Sequence, residues 1–356
     1  MSTDAGNGQN CPLMIKYKQK PAAKNAAVRP ITQTENKEKK MGNTLFAIGE
    51  ALIDFMPGQS GVDFGRVDSF HPHIGGRPTN VCAAFSRLGG KSRMITQLGR
   101  DPFGEKIRAR LETCGVDTSH IAFTEKANTA LAFVSLDKKG ERTFAFYRKP
   151  SADMLYRPDM IQPGWFCDVF ALHFCSVALS TESMVLAHEK AIGLVQKAGG
   201  LVSFDPNLRF PLWEDREKLR RAVLRFLPMA HILKISREEL EFITGTADRE
   251  KSLEKLFAGN VRLVAITSGG GPACLCTRHA KAILPAVNVA AVDTTGAGDG
   301  FIGSLLYSLN KAGITPENIC ALTRRQLEKM LDFSLRFCAE SVQKKGAIAS
   351  YPKNFE

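Results

Sequence analysis

Short apolar segments alternate with longer amphipathic segments along most of the chain. The apolar segments lie at residues 45–49, 94–98, 169–174, 201–205, 232–235 and 261–267, and each has the length of a buried β-strand. Helical periodicity is found at residues 80–88, 102–114, 182–197, 214–227, 238–244 and 249–257. This alternation predicts an α/β fold, in which a mostly parallel sheet is covered by helices on both faces.

One region breaks the alternation. Residues 129–136 and 142–148 are rich in β-formers and flank the turn sequence DKKGE, which predicts an antiparallel hairpin. A hairpin inside a βα series has to pack elsewhere, so we expect a lid or a small side sheet. Residues 55–76 are rich in glycine and proline and predict a loop.

The first 42 residues show neither strand nor helix periodicity, and they predict a disordered extension before a folded domain at 43–356. The extension is basic: residues 1–40 hold eight Lys or Arg and three Asp or Glu, in a chain of net charge +12. A basic arm fits nucleic acid or an anionic surface, so a nucleic-acid-associated protein is one alternative. Because no nucleic-acid-binding motif is found, we expect no nucleic-acid partner.

Cysteine spacing, hydropathy and absent motifs further restrict the class of protein. Nine cysteines occur without zinc-site spacing, which favours buried thiols in a reducing compartment and predicts a cytoplasmic protein. No run of 18 apolar residues is present, so we expect no membrane span. The sequence also lacks the P-loop motif GxxxxGK[ST] and the HRD loop of protein kinases, which excludes those two classes of phosphotransferase.

The strongest chemical signal is the sequence VDTTGAGDG at 292–300, a glycine-rich turn that opens an apolar helix. Backbone N–H groups and the helix dipole make such a turn suited to a phosphate group. Asp299 would repel a bound anion, but it suits a base that takes the proton of an attacking hydroxyl while the amides hold the transferring phosphoryl group. The alternative is that Asp299 only caps the helix.

Two further groups suit a sugar. Gly75 and Gly76 precede a helix, and their amides, with the side chain of Asn80, can read sugar hydroxyls. Asp54, which we place at the end of the first strand, can accept two hydroxyl hydrogen bonds, because ligands of open α/β sheets bind beyond the carboxyl ends of strands.

Two other groups suit a phosphate or a metal ion. Asp205, Asn207 and Arg209 cluster at a later strand end, where Arg209 can neutralise a transferring phosphoryl group. Ser236 and Glu239 have the spacing of a capping box. Glu239 can also reach Mg²⁺ through a water molecule.

Taken together, residues of about 45–351 resemble the ribokinase-like (phosphofructokinase-B type) carbohydrate kinases. The segment 75–104, which ends in DPFG, is similar to the N-terminal signature of that family, and DTTGAGDGF at 293–301 is similar to its C-terminal signature. Within the family the fructokinases are the most similar. The shared segments are GEALIDF at 49–55, YRKPSAD at 147–153, DPNLR at 205–209 and KISREELEFITG at 234–245.

The resemblance implies a Rossmann-like sheet with a small β-sheet lid from segments 55–70 and 129–148, and a possible homodimer through the lid. It implies ATP and Mg²⁺, with a region that in this family often holds K⁺. The implied roles are these: Asp299 as base with Gly296, Ala297 and Gly298 as anion hole; Asp54, Gly75, Gly76, Asn80, Arg148 and Asp153 for the sugar; Lys234, Ser236, Glu239, Thr267, Gly269, Gly271 and Ala339 for the nucleotide; and Asp293, Thr295, Gly346 and Ala347 for the cation.

The expected activity is ATP-dependent phosphorylation of a sugar hydroxyl, D-fructose to fructose 6-phosphate. Ribose, 2-keto-3-deoxygluconate or a nucleoside are alternative acceptors, and a catalytically silent sugar- or nucleotide-binding regulator is an alternative of another class. Three positions depart from the family pattern: Ser236 stands where ribokinases usually have Asn, Arg77 stands where we expect Ala, and the loop at 267–273 lacks large residues.

Overall fold

The structure is a computed structural model that describes residues 42–59, 61–136, 142–246, 248–353 and 355–356. The predicted extension lies outside the described residues except for Gly42, and so does the predicted turn at 137–141. No helix in the described ranges is long and apolar enough to cross a membrane. The division at residue 42 and the cytoplasmic location stay predictions.

Strands and helices alternate along the chain. In order they are β1 (Thr44–Ile48), β2 (Leu52–Pro57), β3 (Phe70–Gly75), α1 (Arg77–Arg87), β4 (Lys91–Gly99), α2 (Pro102–Thr113), β5 (Val116–Asp117), β6 (Ile121–Thr124), β7 (Ala130–Leu136), β8 (Arg142–Tyr147), β9 (Val169–Cys175), α3 (Glu182–Ala198), β10 (Leu201–Asp205), α4 (Arg216–Phe226), β11 (Ile232–Ser236), α5 (Arg237–Thr244), α6 (Arg249–Leu256), β12 (Leu263–Thr267), β13 (Ala273–Cys276), β14 (Lys281–Leu284), α7 (Ala297–Lys311), α8 (Arg324–Ser341) and α9 (Ala347–Ser350).

The large sheet has the strand order β14-β13-β12-β11-β10-β9-β1-β4-β5, and β6 pairs with β4 beyond β5. All pairs from β12 to β5 are parallel, whereas β13 and β14 add two antiparallel pairs at one edge. The predicted α/β fold with a mostly parallel sheet is therefore confirmed. Because the parallel strands run the same way, the carboxyl ends of β1, β9, β10, β11 and β12 lie along one edge.

The core forms two layers, one on each face of the large sheet. Successive residues of β1 show the division: Phe46 packs in the layer that includes Met184 of α3, and Leu45 packs in the layer that includes Phe301 of α7. Most side chains of a parallel strand buried on both faces are apolar, which is why these strands read as nearly continuous apolar runs.

The second sheet is small and has the order β3-β2-β7-β8. Strands β7 and β8 form the predicted hairpin, so the expected side sheet is confirmed. The prediction of a loop at 55–76 is wrong in part, because β2 and β3 pair antiparallel there. Pro72 hides the strand signal, and proline is tolerated because β3 is an edge strand of this sheet.

Asp54 lies in this second sheet and not at the end of the first strand, as the sequence suggested. Strand β1 ends at Ile48, and Gly49, at φ +145°, turns the chain out of the large sheet. Asp54 then lies inside β2, directly opposite His73 of β3. The error arose because the apolar residues of β1 and β2 are separated by only three residues.

Most element boundaries follow local capping chemistry. Asp101 precedes α2, and its Oδ1 accepts hydrogen bonds from the N–H groups of Phe103 and Gly104. Helix α1 begins at Arg77, three residues before the predicted start, because Pro78 fits the first helical turn. The sequence-based assignment omitted α8, β13 and β14.

Candidate active site

A cavity of about 170 Å³ lies between the carboxyl ends of β1, β9 and β10 and the small sheet. Met56, Val134 and Phe146 of the small sheet supply apolar lining. Polar lining comes from β2, from the segments that follow β1 and β10, from the first turn of α1, and from the turn before α7 and its first residues. These residues are Asp54, Glu50, Asn207, Arg209, Arg77, Asn80, Thr294, Thr295 and Asp299. The cavity thus combines a hydrophobic cover with a charged floor.

Asp299 is buried in the first turn of α7. Its Oδ1 accepts a hydrogen bond of 2.8 Å from Arg77 Nη1, and its Oδ2 accepts one of 2.7 Å from Asn80 Nδ2. The N-cap of α7 is Gly296, so the capping role considered for Asp299 is wrong. The carboxylate instead lines the cavity, where a hydroxyl group would meet it.

The glycine-rich turn places backbone N–H groups next to this carboxylate. Gly296 has φ +77°, and a Cβ there would collide with the side chain of Ala347, so the turn requires glycine. Ala297, Gly298 and Asp299 form the first turn of α7, where N–H groups have no partner inside the helix. The N–H of Ala297 donates to the carbonyl of Thr294 at 3.2 Å, so the N–H groups of Gly298 and Asp299 are the ones suited to a ligand. An anionic group is stabilised at such a position.

The sugar side of the cavity includes three of the expected residues: Asp54, Gly76 and Asn80. Gly75 lies behind them, where a side chain would collide with the carboxylate of Asp54. Asn80 Oδ1 and Asn207 Nδ2 are buried polar atoms without a hydrogen-bond partner within the described part of the chain. Buried polar atoms are rarely left unpaired, so these two are suited to ligand hydroxyl groups.

Arg148 and Asp153 form a buried ion pair instead of lining the cavity. The Arg148 guanidinium bonds to Asp153 Oδ2 through Nε and Nη2, and its Nη1 donates to the carbonyl of Val177 at 3.2 Å. Both side chains are at most 4% exposed. The pair fixes the segment after β8 to the segment after β9, and its direct contact with a sugar stays a prediction.

Glu50 is a buried residue of the site that the sequence did not single out. Its Oε1 accepts a hydrogen bond of 3.1 Å from the N–H of Arg77, and Cys175 Sγ lies 3.4 Å from the same oxygen. Burial raises the pKa of Glu50, although the nearby charge of Arg148 opposes this effect. The sequence gives little indication that Glu50 belongs to the site, because a single Glu that follows a strand and Gly49 also fits an ordinary loop.

A second buried ion pair joins two neighbouring strand ends. Lys234 Nζ of β11 lies 3.0 Å from Asp205 Oδ2 of β10, and both side chains are at most 6% exposed. Lys234 Nζ also lies 3.3 Å from the position that a Cβ of Gly298 would occupy. The ammonium group therefore adjoins the glycine-rich turn, where the phosphates of a nucleotide would lie.

The other expected nucleotide residues line no part of this cavity. Both carboxylate oxygens of Glu239 accept backbone hydrogen bonds, from Leu208 N–H at 2.7 Å and from Ser236 N–H at 2.8 Å. Glu239 thus ties the segment after β10 to α5, and its reach to Mg²⁺ stays a prediction. Thr267, Gly269 and Gly271 lie at the end of β12 and in the following turn, and Ala339 lies in α8.

Asp293 joins the two loops expected to hold a monovalent cation. Its Oδ1 accepts hydrogen bonds from Thr295 N–H and Oγ1, and its Oδ2 accepts one of 2.8 Å from Gly346 N–H. Ala347 follows at the start of α9. Carboxylate and carbonyl oxygens are the ligands of hard cations, so these loops fit K⁺.

A buried carboxylate, a helix N-terminus and several cationic side chains meet at one point of an α/β fold, and this arrangement defines a phosphotransferase site. The family model described as "pfkB family carbohydrate kinase" matches residues 43–354. The chain belongs to this family and is a carbohydrate kinase.

Relatives of known type cover most of the chain. Probable fructokinase-2 of Arabidopsis thaliana is 40% identical over 312 residues, which are 87% of this chain and 93% of that protein. The crystal structure of a Xylella fastidiosa fructokinase with bound ATP superposes with a TM-score of 0.79 at 33% identity, over 87% of this chain and 95% of that one. A double mutant of Vibrio cholerae fructokinase, with fructose, ADP and potassium ion bound, gives 0.78 at 32% identity, over 88% and 96%.

Proposed function

We propose that the protein phosphorylates D-fructose with ATP to give fructose 6-phosphate. The observation that carries the proposal is the position of Asp299, which lines the sugar-sized cavity and belongs to the first turn of the helix that would hold the phosphate. The fructokinase relatives support fructose as the acceptor.

In this mechanism the carboxylate of Asp299 accepts the proton of the sugar hydroxyl. The hydroxyl oxygen forms a bond to the γ-phosphorus of ATP, and the bond from that phosphorus to the bridging oxygen breaks as ADP leaves. The N–H groups of the first turn of α7 stabilise the negative charge on the group in flight. Phosphoryl transfer depends on such positioning and electrostatics more than on covalent chemistry by the protein.

The metal ions would act beside this step. Mg²⁺ accompanies ATP and neutralises phosphate charge. Asp205 fits Mg²⁺ chemically, because its Oδ1 is buried and has no hydrogen-bond partner within the described ranges.

K⁺ would be held by the loops that Asp293 joins, where it would stabilise the glycine-rich turn. We expect Asp293→Ala to weaken activation by K⁺ over Na⁺, while a control variant, Asp332→Ala on the exposed face of α8, keeps it.

The small sheet would close over the sugar and exclude water from the site. Its edge strands are β3 and β8, and Tyr147 at the end of β8 is 66% exposed. An uncovered edge can pair with another copy of the chain, so a homodimer through this sheet is part of the proposal. Light scattering coupled to size exclusion measures it directly, and a monomer at assay concentration would contradict it.

The deciding experiment measures ADP release from Mg·ATP with fructose, glucose, ribose, 2-keto-3-deoxygluconate and adenosine, in K⁺ and in Na⁺. We expect the highest kcat/KM with fructose. A preference for another sugar would keep the mechanism and replace the acceptor. No turnover with any acceptor, together with tight sugar binding by calorimetry, would instead favour a silent regulator.

A further inference from the structure

We propose that Arg77 takes part in phosphoryl transfer: its guanidinium holds Asp299 in the free enzyme and contacts the phosphoryl group while that group moves to the sugar. The inference builds on the proposed kinase mechanism and adds a residue to it. The ion pair is its first support. Arg77 Nη1 lies 2.8 Å from Asp299 Oδ1, and the Arg77 side chain is 24% exposed while that of Asp299 is 4% exposed.

The backbone of Arg77 is fixed at the start of α1. Its N–H donates to Glu50 Oε1, and Pro78 follows it in the first helical turn. Gly76, at φ +99°, comes so close to the chain after β1 that a Cβ would lie 2.5 Å from the carbonyl oxygen of Glu50. The root of the Arg77 side chain therefore has little freedom, and its guanidinium is directed across the cavity to α7.

Arg77 also adjoins the anion-binding turn. The position that a Cβ of Gly298 would occupy lies 3.7 Å from Arg77 Nη1 and 3.3 Å from Lys234 Nζ. Gly298 thus has one cation from α1 and one from β11 beside it. A phosphoryl group on the N–H groups of this turn would meet both.

The charge of Arg77 also affects a third cationic side chain, Arg209. Arg209 lines the same cavity, and the charge of Arg77, together with burial, lowers the pKa of Arg209 to about 10. The carboxylates of Asp299, Glu239 and Asp205 offset part of this repulsion, and a bound anion would offset more of it. The convergence of these cationic side chains on the cavity fits a multiply charged phosphoryl group better than a neutral sugar.

We expect Arg77 to stabilise the transition state more than the ground state, because negative charge moves past its guanidinium during the reaction. Before the reaction, the negative partner of Arg77 is the carboxylate of Asp299. As Asp299 takes the hydroxyl proton, it loses its charge, while the phosphoryl group arrives beside Arg77. The guanidinium exchanges one anionic partner for another without moving far, which is the preorganisation that lowers barriers.

The first test is kinetic and uses the full chain. We expect Arg77→Ala to lower kcat about 10²–10³-fold, as the loss of one charge-stabilising donor does, and to change the KM for the sugar less than about threefold. Arg77→Lys should restore part of kcat because the charge remains. Arg87→Ala, at the other end of α1, is the matched control and should behave like the unchanged protein.

The second test measures the affinity for an analogue of the transferring phosphoryl group. ADP with aluminium fluoride and the sugar imitates the phosphoryl group in flight, and calorimetry measures its affinity apart from turnover. We expect Arg77→Ala to weaken this complex by about the factor lost in kcat, with the affinity for ADP alone unchanged.

Unchanged affinity for ADP–aluminium fluoride, or a kcat within threefold of normal, would overturn the inference. Absence of fructose turnover in the unchanged protein would instead overturn the proposed substrate, and the binding comparison would still decide the role of Arg77.

Discussion

Asn80 Nδ2 donates a hydrogen bond of 2.7 Å to Asp299 Oδ2, across a separation of 219 positions in the sequence. The bond joins the first turns of α1 and α7, and both residues are buried. It leaves Asn80 Oδ1 unpaired within the described part of the chain, next to the carboxylate. One amide side chain thus orients the base with its nitrogen and offers its oxygen to a hydroxyl group of the ligand.

The first prediction concerns the base itself. Asp299→Asn keeps the size of the side chain but cannot take up the hydroxyl proton as a carboxylate does. We expect kcat to fall about 10²–10⁴-fold, the usual range for loss of a general base. Steady-state kinetics with Mg·ATP and fructose measure this, and Asp332→Asn on α8 is the exposed control. A nearly normal Asp299→Asn enzyme would remove Asp299 from the mechanism.

The second prediction concerns the buried pair of Lys234 and Asp205. Lys234→Met leaves Asp205 without its partner, and an unpaired buried charge costs about 3–5 kcal/mol of unfolding free energy. Adding Asp205→Asn removes that charge and should recover most of the loss. Urea unfolding measures both variants. Arg336→Ala, which breaks the exposed pair with Asp332, is the control and should cost less than about 1 kcal/mol.

If Lys234→Met and the double variant were equally destabilised, burial of the Asp205 charge would not be the cause. The loss would then come from packing of the lysine side chain. Activity tests a further role of Lys234, because Lys234→Met removes the cation beside Gly298 whether or not Asp205 is also changed. We therefore expect both variants to be slow, although only the double variant recovers stability.

The third prediction compares two glycines with positive φ. Gly296 and Gly269 have φ +77° and +50°, so alanine strains the backbone at both. At Gly296 a Cβ also collides with Ala347, whereas at Gly269 no atom lies within 4 Å. Gly269→Ala should therefore show only the backbone cost of about 1 kcal/mol. Gly296→Ala should lower stability further and reduce kcat, because α9 must move away from the glycine-rich turn. Equal effects of the two substitutions on the free energy of unfolding would contradict this packing argument.

Sequence reasoning succeeded where the physical signal is local. The strands of the large sheet are continuous apolar runs, and the turn before α7 has a composition that few other structures require, so both were found. It failed where the determinant is a contact between distant segments. Asp54 was assigned to the wrong strand because only pairing with His73 shows that β2 belongs to another sheet. Arg77 was noted for its size alone, since its partner Asp299 is 222 positions away.

Three of the expected site residues also make contacts that the sequence did not predict. Arg148 and Asp153 lie five positions apart and pair with each other, while their contact with a sugar stays a prediction. Glu239 has capping-box spacing, and its contact with Leu208 from another loop becomes visible only in three dimensions. A motif therefore identifies which residues are charged at the site, whereas the fold decides which charges neutralise each other.

The last prediction uses the pH dependence of stability. Burial raises the pKa of Glu50 in the folded protein above its ordinary value of 4.5, so the folded state holds the proton more tightly than the unfolded chain. The stability from this group is complete below the ordinary pKa and is lost as pH rises through the folded pKa, at about 1.4 kcal/mol per unit of difference. Glu50→Gln keeps an oxygen for the N–H of Arg77 and cannot ionise. We therefore expect its unfolding free energy, relative to that of the unchanged protein, to increase from pH 4.5 to pH 8. Glu340→Gln, an exposed residue paired with Lys344, should show no such trend. A difference that stays constant over this range would mean that the fold does not raise the pKa of Glu50.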